Sequence, residues 1–333
     1  MREDPYNSRR GTPSLTQPMV VIVTETEFAK AEQVFTSATD LRCVASPAGE
    51  GELAAAIRAA GARFAIVGIQ TYRDALYSAL PRGGVIARFG VGHDGIDKAM
   101  ATRGDILCSN TPGVLDQSVA ELTILLIAAA ARNLTALDRR MKGGVWAPQP
   151  GAELSGKTLA VIGSGRIGNT VARMAGAGFG MTVRRGGRGD DFGMTVRDAD
   201  FVSLHMTGTA DNRRFLNRER LAMIPRHAWL INTARGNVVD EAALYEALAG
   251  RRLAGAALDV FEVEPYEPED SASDLRTLPN VILTPHIGSH TAEASRRIAE
   301  RALHNVRLAA AGDLAAMDLV NPEVLQRSPF TQD

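Results

Sequence analysis

The chain has 333 residues, 37 basic and 38 acidic side chains for a formal net charge of −1, and a 45% hydrophobic content. At roughly 150 residues per domain this length accommodates about two domains with full cores, which argues against disorder. The balanced charge gives no electrostatic reason to expect nucleic acid or an anionic membrane as a partner.

Two cysteines, Cys43 and Cys108, are too few for a disulfide scaffold and suit a reducing compartment. The longest apolar run, residues 122–131, falls far short of the roughly 20 needed to span a bilayer. The first 18 residues hold no apolar stretch of the kind a signal peptide needs and read as a polar tail, so the expected location is the cytoplasm.

In chain order, residues 19–23 are rich in β-branched side chains and predict a buried strand, followed by a helix over 27–37. Further strands are expected at 41–45, 64–67 and 85–89, with helices at 52–60 and 72–80. Alternation of this kind predicts an α/β fold with a parallel sheet covered on both faces. Asn110-Thr111-Pro112-Gly113 is a turn cluster that marks a crossing between domains. Ser118-Val119-Ala120-Glu121 has capping-box spacing and predicts the start of a helix over 122–131. That helix is apolar nearly all round, so it must be covered on several sides, either within its own domain or by a second subunit.

From Lys157 the alternation restarts, with a strand at 158–162, a helix at 166–175 and a strand at 181–184. Strands at 201–205, 229–232, 255–258 and 281–283 follow. A helix over 241–249 should stop at Gly250, and a last long helix over 291–311 at Gly312.

Gly163-Ser164-Gly165-Arg166-Ile167-Gly168 lies between a predicted strand and a predicted helix, the setting a dinucleotide fingerprint requires. Gly163 permits a tight turn, Gly165 lets backbone approach a pyrophosphate, and Gly168 allows close helix–strand packing. The helix start then offers free N–H groups and a partial positive charge to the phosphates. The next strand should end in an acid for the adenosine ribose, yet it carries Arg184, Arg185 and Arg188. Arginines there suit the additional 2′-phosphate of NADP, which is favoured over NAD; Asp190 and Asp191, just beyond, keep NAD open.

Three later motifs, Asn232-Thr233-Ala234-Arg235-Gly236, Leu258-Asp259-Val260-Phe261-Glu262-Val263-Glu264-Pro265 and Pro285-His286-Ile287-Gly288-Ser289, join this loop and the segment Thr111-Pro-Gly…Val119-Ala-Glu-Leu122. Together, in this order, they resemble the D-isomer-specific 2-hydroxyacid dehydrogenase family over almost the whole chain from about Phe89 to His304. The resemblance implies two Rossmann-like domains, with the nucleotide-binding domain (110–292) inserted into a substrate domain (1–109 and 293–333). It implies that Arg235 binds the substrate carboxylate and polarises the carbonyl, a task suited to a planar, permanently charged fork. His286 would exchange the proton with the carbonyl oxygen, and Glu264 would orient the imidazole and favour its protonated form.

The resemblance further implies that Asp259 faces the nicotinamide, that Thr233, Ala234, His286 and Gly288 line the cofactor, and that the backbone amides of Val91 and Gly92 seat the carboxylate. The partners it implies are a small 2-hydroxy or 2-oxo acid and a second copy of the chain. Thr111-Pro-Gly-Val-Leu115 and Gly187-Arg188 look like the glyoxylate/hydroxypyruvate reductase branch, and the remainder is similar to phosphoglycerate dehydrogenases.

Two departures stand out: the stretch between Arg188 and Phe201 leaves little room for the helix the family carries there, and Thr207 stands where relatives often have proline. His93 beside the substrate loop reads equally as a substrate contact or a structural residue. His286 and His290 are separated by Gly288, so no metal site is expected. A rival reading from another class is a dinucleotide-sensing binding protein similar to the C-terminal binding protein corepressors, distinguished by tight cofactor binding without turnover.

Overall fold

The computed structural model describes residues 18–327, and the polar tail read from the sequence lies outside them apart from Pro18. The first sheet contains β1 (Met19–Thr24), β2 (Leu41–Ser46), β3 (Phe64–Val67), β4 (Val85–Arg88) and β5 (Leu107–Ser109). Its strands are all parallel, in the order β2-β1-β3-β4-β5. Around it lie α1 (Glu25–Lys30), α2 (Glu32–Thr36), α3 (Glu50–Ala60), α4 (Ala75–Ala79) and α5 (Lys98–Arg103).

α6 (Asp116–Ala131) and α7 (Leu134–Lys142) then lead to a second parallel sheet. It holds β6 (Thr158–Ile162), β7 (Thr182–Gly186), β8 (Phe201–Leu204), β9 (Trp229–Asn232), β10 (Gly255–Leu258) and β11 (Val281–Leu283). Its order is β11-β10-β9-β8-β6-β7. The helices between these strands are α8 (Arg166–Phe179), α9 (Phe192–Val196), α10 (Arg218–Met223) and α11 (Glu241–Ala249), and α12 (Ala292–Ala311) follows β11.

α12 carries the chain back to the first sheet, where Ala294, Ile298, Ala302 and Val306 join the core of Val21, Val23, Phe64 and Val85. α6 belongs to the second sheet, its Ile124, Ile127 and Ala130 packing with Leu159, Val161 and Val171. The strand order reverses between β1 and β3 and again between β6 and β8. α/β folds open their ligand crevices at the carboxyl ends of strands at such points.

Four local expectations need correction. The helix expected at 27–37 breaks at Ala31, whose φ of −146° leaves the helical region, and the break brings Phe28 and Phe35 ring to ring at 5.5 Å. The helix expected at 72–80 is confined to α4, because the Glu50 carboxylate accepts the N–H groups of Arg73, Asp74 and Leu76 and holds the approach out of helical register. Ser118 and Glu121 form no capping box: α6 already starts at Asp116, and the Ser118 hydroxyl donates to the Gly288 carbonyl at 2.8 Å. Finally, the short stretch after Arg188 does hold a helix, the single-turn α9, capped by Asp191.

α6 is buried along most of its length but leaves Leu125 exposed, and α7 buries none of its residues. Among the described residues, no single helix is long and apolar enough to cross a membrane.

Candidate active site

The glycine-rich loop leaves the end of β6 and opens α8. Gly163 has φ of +110°, and a side chain there would run into the carbonyl of His205 at the end of β8. A side chain at Gly168 would meet the Gly163 carbonyl, whereas one at Gly165 would meet nothing within 4 Å. The turn is therefore closed on its protein side and open at the position where backbone would meet a phosphate. Ser164 contributes its carbonyl to the Asn169 side chain at 3.0 Å. Ile167 points inward, against both hydrophobic clusters that flank α8. Arg166, in the first turn of α8, donates to Asp116 at 2.9 Å and lies against Gly113. These residues fit a dinucleotide pyrophosphate: an open glycine, an N-terminal helix turn and an exposed guanidinium meet at one crevice.

β7 ends in Gly186, without an acid. Arg184 is tied to Asp198 at 3.0 Å and Arg185 to Asn169 at 3.1 Å, while Arg188 is 86% exposed, with Asp211 4.0 Å away. Asp190 is turned back onto the Gly187 amide at 2.7 Å, and Asp191 caps α9. Both aspartates that could have served a ribose are thus engaged in shaping their own loop.

The three proposed chemical residues come from the loops after β9, β10 and β11. His286 and Glu264 meet at 2.6 Å between Nδ1 and Oε2, and Glu264 Oε1 accepts the Phe261 amide at 3.0 Å. His286 is held at φ of +53°, its amide donating to the Asp259 carbonyl at 2.8 Å. A histidine in the left-handed region is uncommon and persists where surrounding structure over-determines it. Here the constraint is Asp259, only 1% exposed, whose carboxylate accepts Thr284 Oγ1 at 2.6 Å and the amides of Ile287 and Gly288 at 2.9 Å each. The carboxylate of Asp259 is thus committed to shaping the loop that carries His286. Burial pushes the Asp259 carboxyl above its usual range, against the pull of those hydrogen bonds. Burial pushes Glu264 the same way, but its hydrogen bond from His286 and the positive charges nearby prevail and hold it below the usual range.

Arg235 reaches from the end of β9 to the first half of the fold. Its Nε donates to Asp94 at 2.8 Å and its Nη1 to the Ala234 carbonyl at 2.6 Å. A side chain at Gly92 would occupy the space of that guanidinium, so the loop of Val91 and Gly92 needs its glycine to admit Arg235. Val91 is fixed through its carbonyl by Asn110 at 2.7 Å. Thr233 is buried and shares a hydrogen bond with Thr123 of α6 at 2.8 Å, and the Ala234 amide donates to Asn232 at 3.1 Å. His93 lies 3.2 Å from Lys98, and burial together with that ammonium depresses its proton affinity.

Sequence reasoning gave no role to Asp94, two residues beyond Gly92; its partner is 141 residues away, so no local pattern marks it. It also passed over Arg88, buried at the end of β4 beneath that loop. Burial pushes its guanidinium down to about 10, opposed by the nearby Glu27 carboxylate. Among the described residues, no group of three or more His, Cys, Asp or Glu side chains could hold a metal ion.

Residues 124–288 match the model of the D-isomer specific 2-hydroxyacid dehydrogenase NAD-binding domain. Over 273 residues the chain is 38% identical to a glyoxylate reductase of Korarchaeum cryptofilum, an alignment covering 76% of this chain and 81% of that protein. Among solved structures, D-lactate dehydrogenase from Aquifex aeolicus, complexed with NAD and lactic acid, superposes with a TM-score of 0.79 at 28% identity, covering 90% of this chain and 99% of that one. An NADPH-dependent glyoxylate/hydroxypyruvate reductase from Sinorhizobium meliloti, in complex with NADP and malonate, gives 0.74 at 28% identity over 87% and 93%. The chain belongs to the D-isomer-specific 2-hydroxyacid dehydrogenase family. It is accordingly an NAD(P)-dependent oxidoreductase acting on CH–OH groups.

The residue beneath the glycine-rich loop yields a stability prediction. His205 is held by Ser203 at 2.8 Å, and burial pushes its imidazole from 6.5 down to about 4. The unfolded chain therefore binds more protons than the folded one between those values. Stability is complete above that window and declines by roughly 3 kcal/mol as pH falls through it. Thermal melting across the window should show this slope in the wild type and lose it in His205→Gln; an equal slope in both would assign it to other groups.

Proposed function

We propose that the chain interconverts a small D-2-hydroxy acid and its 2-oxo acid, with glyoxylate, hydroxypyruvate or 3-phosphoglycerate as the substrate class. The observation that carries this reading is the 2.6 Å contact of Glu264 with His286, with Arg235 entering the Val91–Gly92 loop. When bound, the nicotinamide supplies or accepts the hydride. Arg235 offers the free edge of its guanidinium to the substrate carboxylate and carbonyl. His286 gives a proton to the carbonyl oxygen in reduction and removes it in oxidation, while Glu264, ionised down to low pH, orients the ring and stabilises its positive charge. Residues 110–292 would serve the cofactor, and residues 1–109 with 293–333 the substrate.

Replacement of His286 by Ala should lower kcat by about 10²–10⁴-fold and leave cofactor affinity intact, as loss of a positioned acid–base group does. Arg235→Lys should raise KM for the oxo acid and lower kcat together, since a point charge cannot reproduce a two-pronged contact. Steady-state kinetics with glyoxylate and hydroxypyruvate test both, and near-wild-type turnover in His286→Ala would overturn the assignment.

NADP is favoured over NAD because β7 ends without an acid, Asp190 is occupied by Gly187, and the largely exposed Arg188, 4.0 Å from Asp211, can reach a 2′-phosphate. A substrate panel run with both cofactors should give the higher kcat/KM with NADPH, and Arg188→Ala should erode that preference. A preference for NADH would overturn it.

A homodimer is proposed on the exposed apolar side chains Leu125, Leu134, Met141, Val145 and Trp146, which lie on α6, α7 and the segment after them. Light scattering should give twice the chain mass, falling to one chain in Leu125→Glu; a monomeric wild type would contradict it. The unpaired Cys43 and Cys108 suit a cytoplasmic setting.

A further inference from the structure

The turn that delivers Glu264 to His286 is held from behind by a residue that the reading above leaves without a role. Glu241 is the first residue of α11, where an acid ordinarily serves the helix dipole. That helix start is already served by Asp240, whose side chain accepts the Ala243 amide at 3.0 Å. The Glu241 carboxylate turns away from its own helix and accepts the Glu262 amide at 2.6 Å.

This environment is an expensive one for a carboxylate. It is partly buried and faces two further carboxylates, Glu262 and Glu264, with the Arg214 guanidinium opposing them and the Tyr266 hydroxyl close by. Burial and those like charges push its carboxyl up to about 7. Either protonation state still offers an acceptor oxygen to an N–H group.

Side chains and one glycine hold other parts of the turn. Gly236, next to Arg235, lies so close to the Phe261 carbonyl carbon that any side chain there would collide with it. Arg213 and Arg214 both hold the Glu262 side chain, and the Phe261 ring lies 4.7 Å from that of Tyr266. Of the turn's own amides, that of Phe261 donates to Glu264 at 3.0 Å and that of Glu262 to Glu241.

We propose that Glu241 is a positioning residue for the proton-handling pair: through the Glu262 amide it fixes the turn of residues 261–264, and with it the point where Glu264 meets His286. This rests on the assignment of Glu264 and His286 made above. The substitution Glu241→Met keeps the stem of the side chain and removes the acceptor; Glu241→Gln keeps an acceptor oxygen and removes the charge.

The experiment measures kcat and KM for glyoxylate or hydroxypyruvate, and Kd for NADPH and NADH by fluorescence of the reduced nicotinamide, in both variants and in Glu241→Ala. Displacement of a reacting group by about 1 Å can cost on the order of 10²-fold, so kcat in Glu241→Met should fall by about 10- to 100-fold with cofactor Kd unchanged. Glu241→Gln should restore kcat to within about threefold of wild type, because the hydrogen bond is retained.

Wild-type kcat in Glu241→Met overturns the proposal, as does a Glu241→Gln variant that falls equally far, or a parallel loss of cofactor affinity. If one apolar variant does not fold, the other gives the same readout. Glu264→Ala and His286→Ala measured alongside separate the two levels: activity retained in those refutes the site itself, whereas activity lost there but kept in Glu241→Met refutes only the positioning role.

Discussion

A carboxylate and an imidazole 2.6 Å apart, carried on loops after different strands, are the contact around which the site is organised. Neither side chain could hold that distance alone, since an exposed ion pair contributes about 0–1 kcal/mol and both partners would otherwise explore many rotamers. The backbone does the holding. His286 sits in a left-handed conformation because Asp259 gathers the loop of residues 284–288 with three hydrogen bonds. Glu264 is brought to it by a turn pressed against Gly236, where no side chain fits. Burial of Asp259 raises the penalty for leaving any of those bonds unmade, so the loop has little freedom to relax.

The two halves of the molecule are joined by a small set of directional contacts, several of which end near the site. Arg235 crosses to Asp94, and Arg297 of α12 to the Val114 carbonyl at 2.8 Å. α6 runs between them and reaches the His286 loop through Ser118, and the Arg235 loop through Thr123 and Thr233. The exposed ion pair among these adds little stability on its own. Its value is geometric, since a guanidinium on one half is set against a glycine loop on the other.

Much of the fold is legible in the sequence because its strands are largely buried on both faces and read as short apolar runs rich in β-branched residues, as residues 19–24, 64–67 and 158–162 do. The glycine-rich loop is legible for a similar reason: each glycine meets a steric demand its neighbours impose. What escaped was decided by distant partners. The start of α4 is dictated by Glu50, more than 20 residues earlier. Ser118 resembles a cap by spacing, yet donates to Gly288, 170 residues on. Ala31 breaks a helical pattern that nothing local interrupts, in favour of a phenylalanine stack. Arg235, Glu264 and His286 were named through family motifs, whereas Asp94 and Glu241, whose work is to hold those residues in place, look like ordinary surface acids until their contacts are seen.

The central claim, that Glu264 holds His286 through its Nδ1 proton, is tested most directly by proton NMR of the protein labelled with ¹⁵N-histidine. A hydrogen bond this short to a carboxylate should give a strongly downfield Nδ1–H resonance, protected from solvent exchange, that disappears on His286→Gln and on Glu264→Ala. A His286 Nδ1–H signal that exchanges freely in the wild type, or persists unchanged in Glu264→Ala, would contradict it.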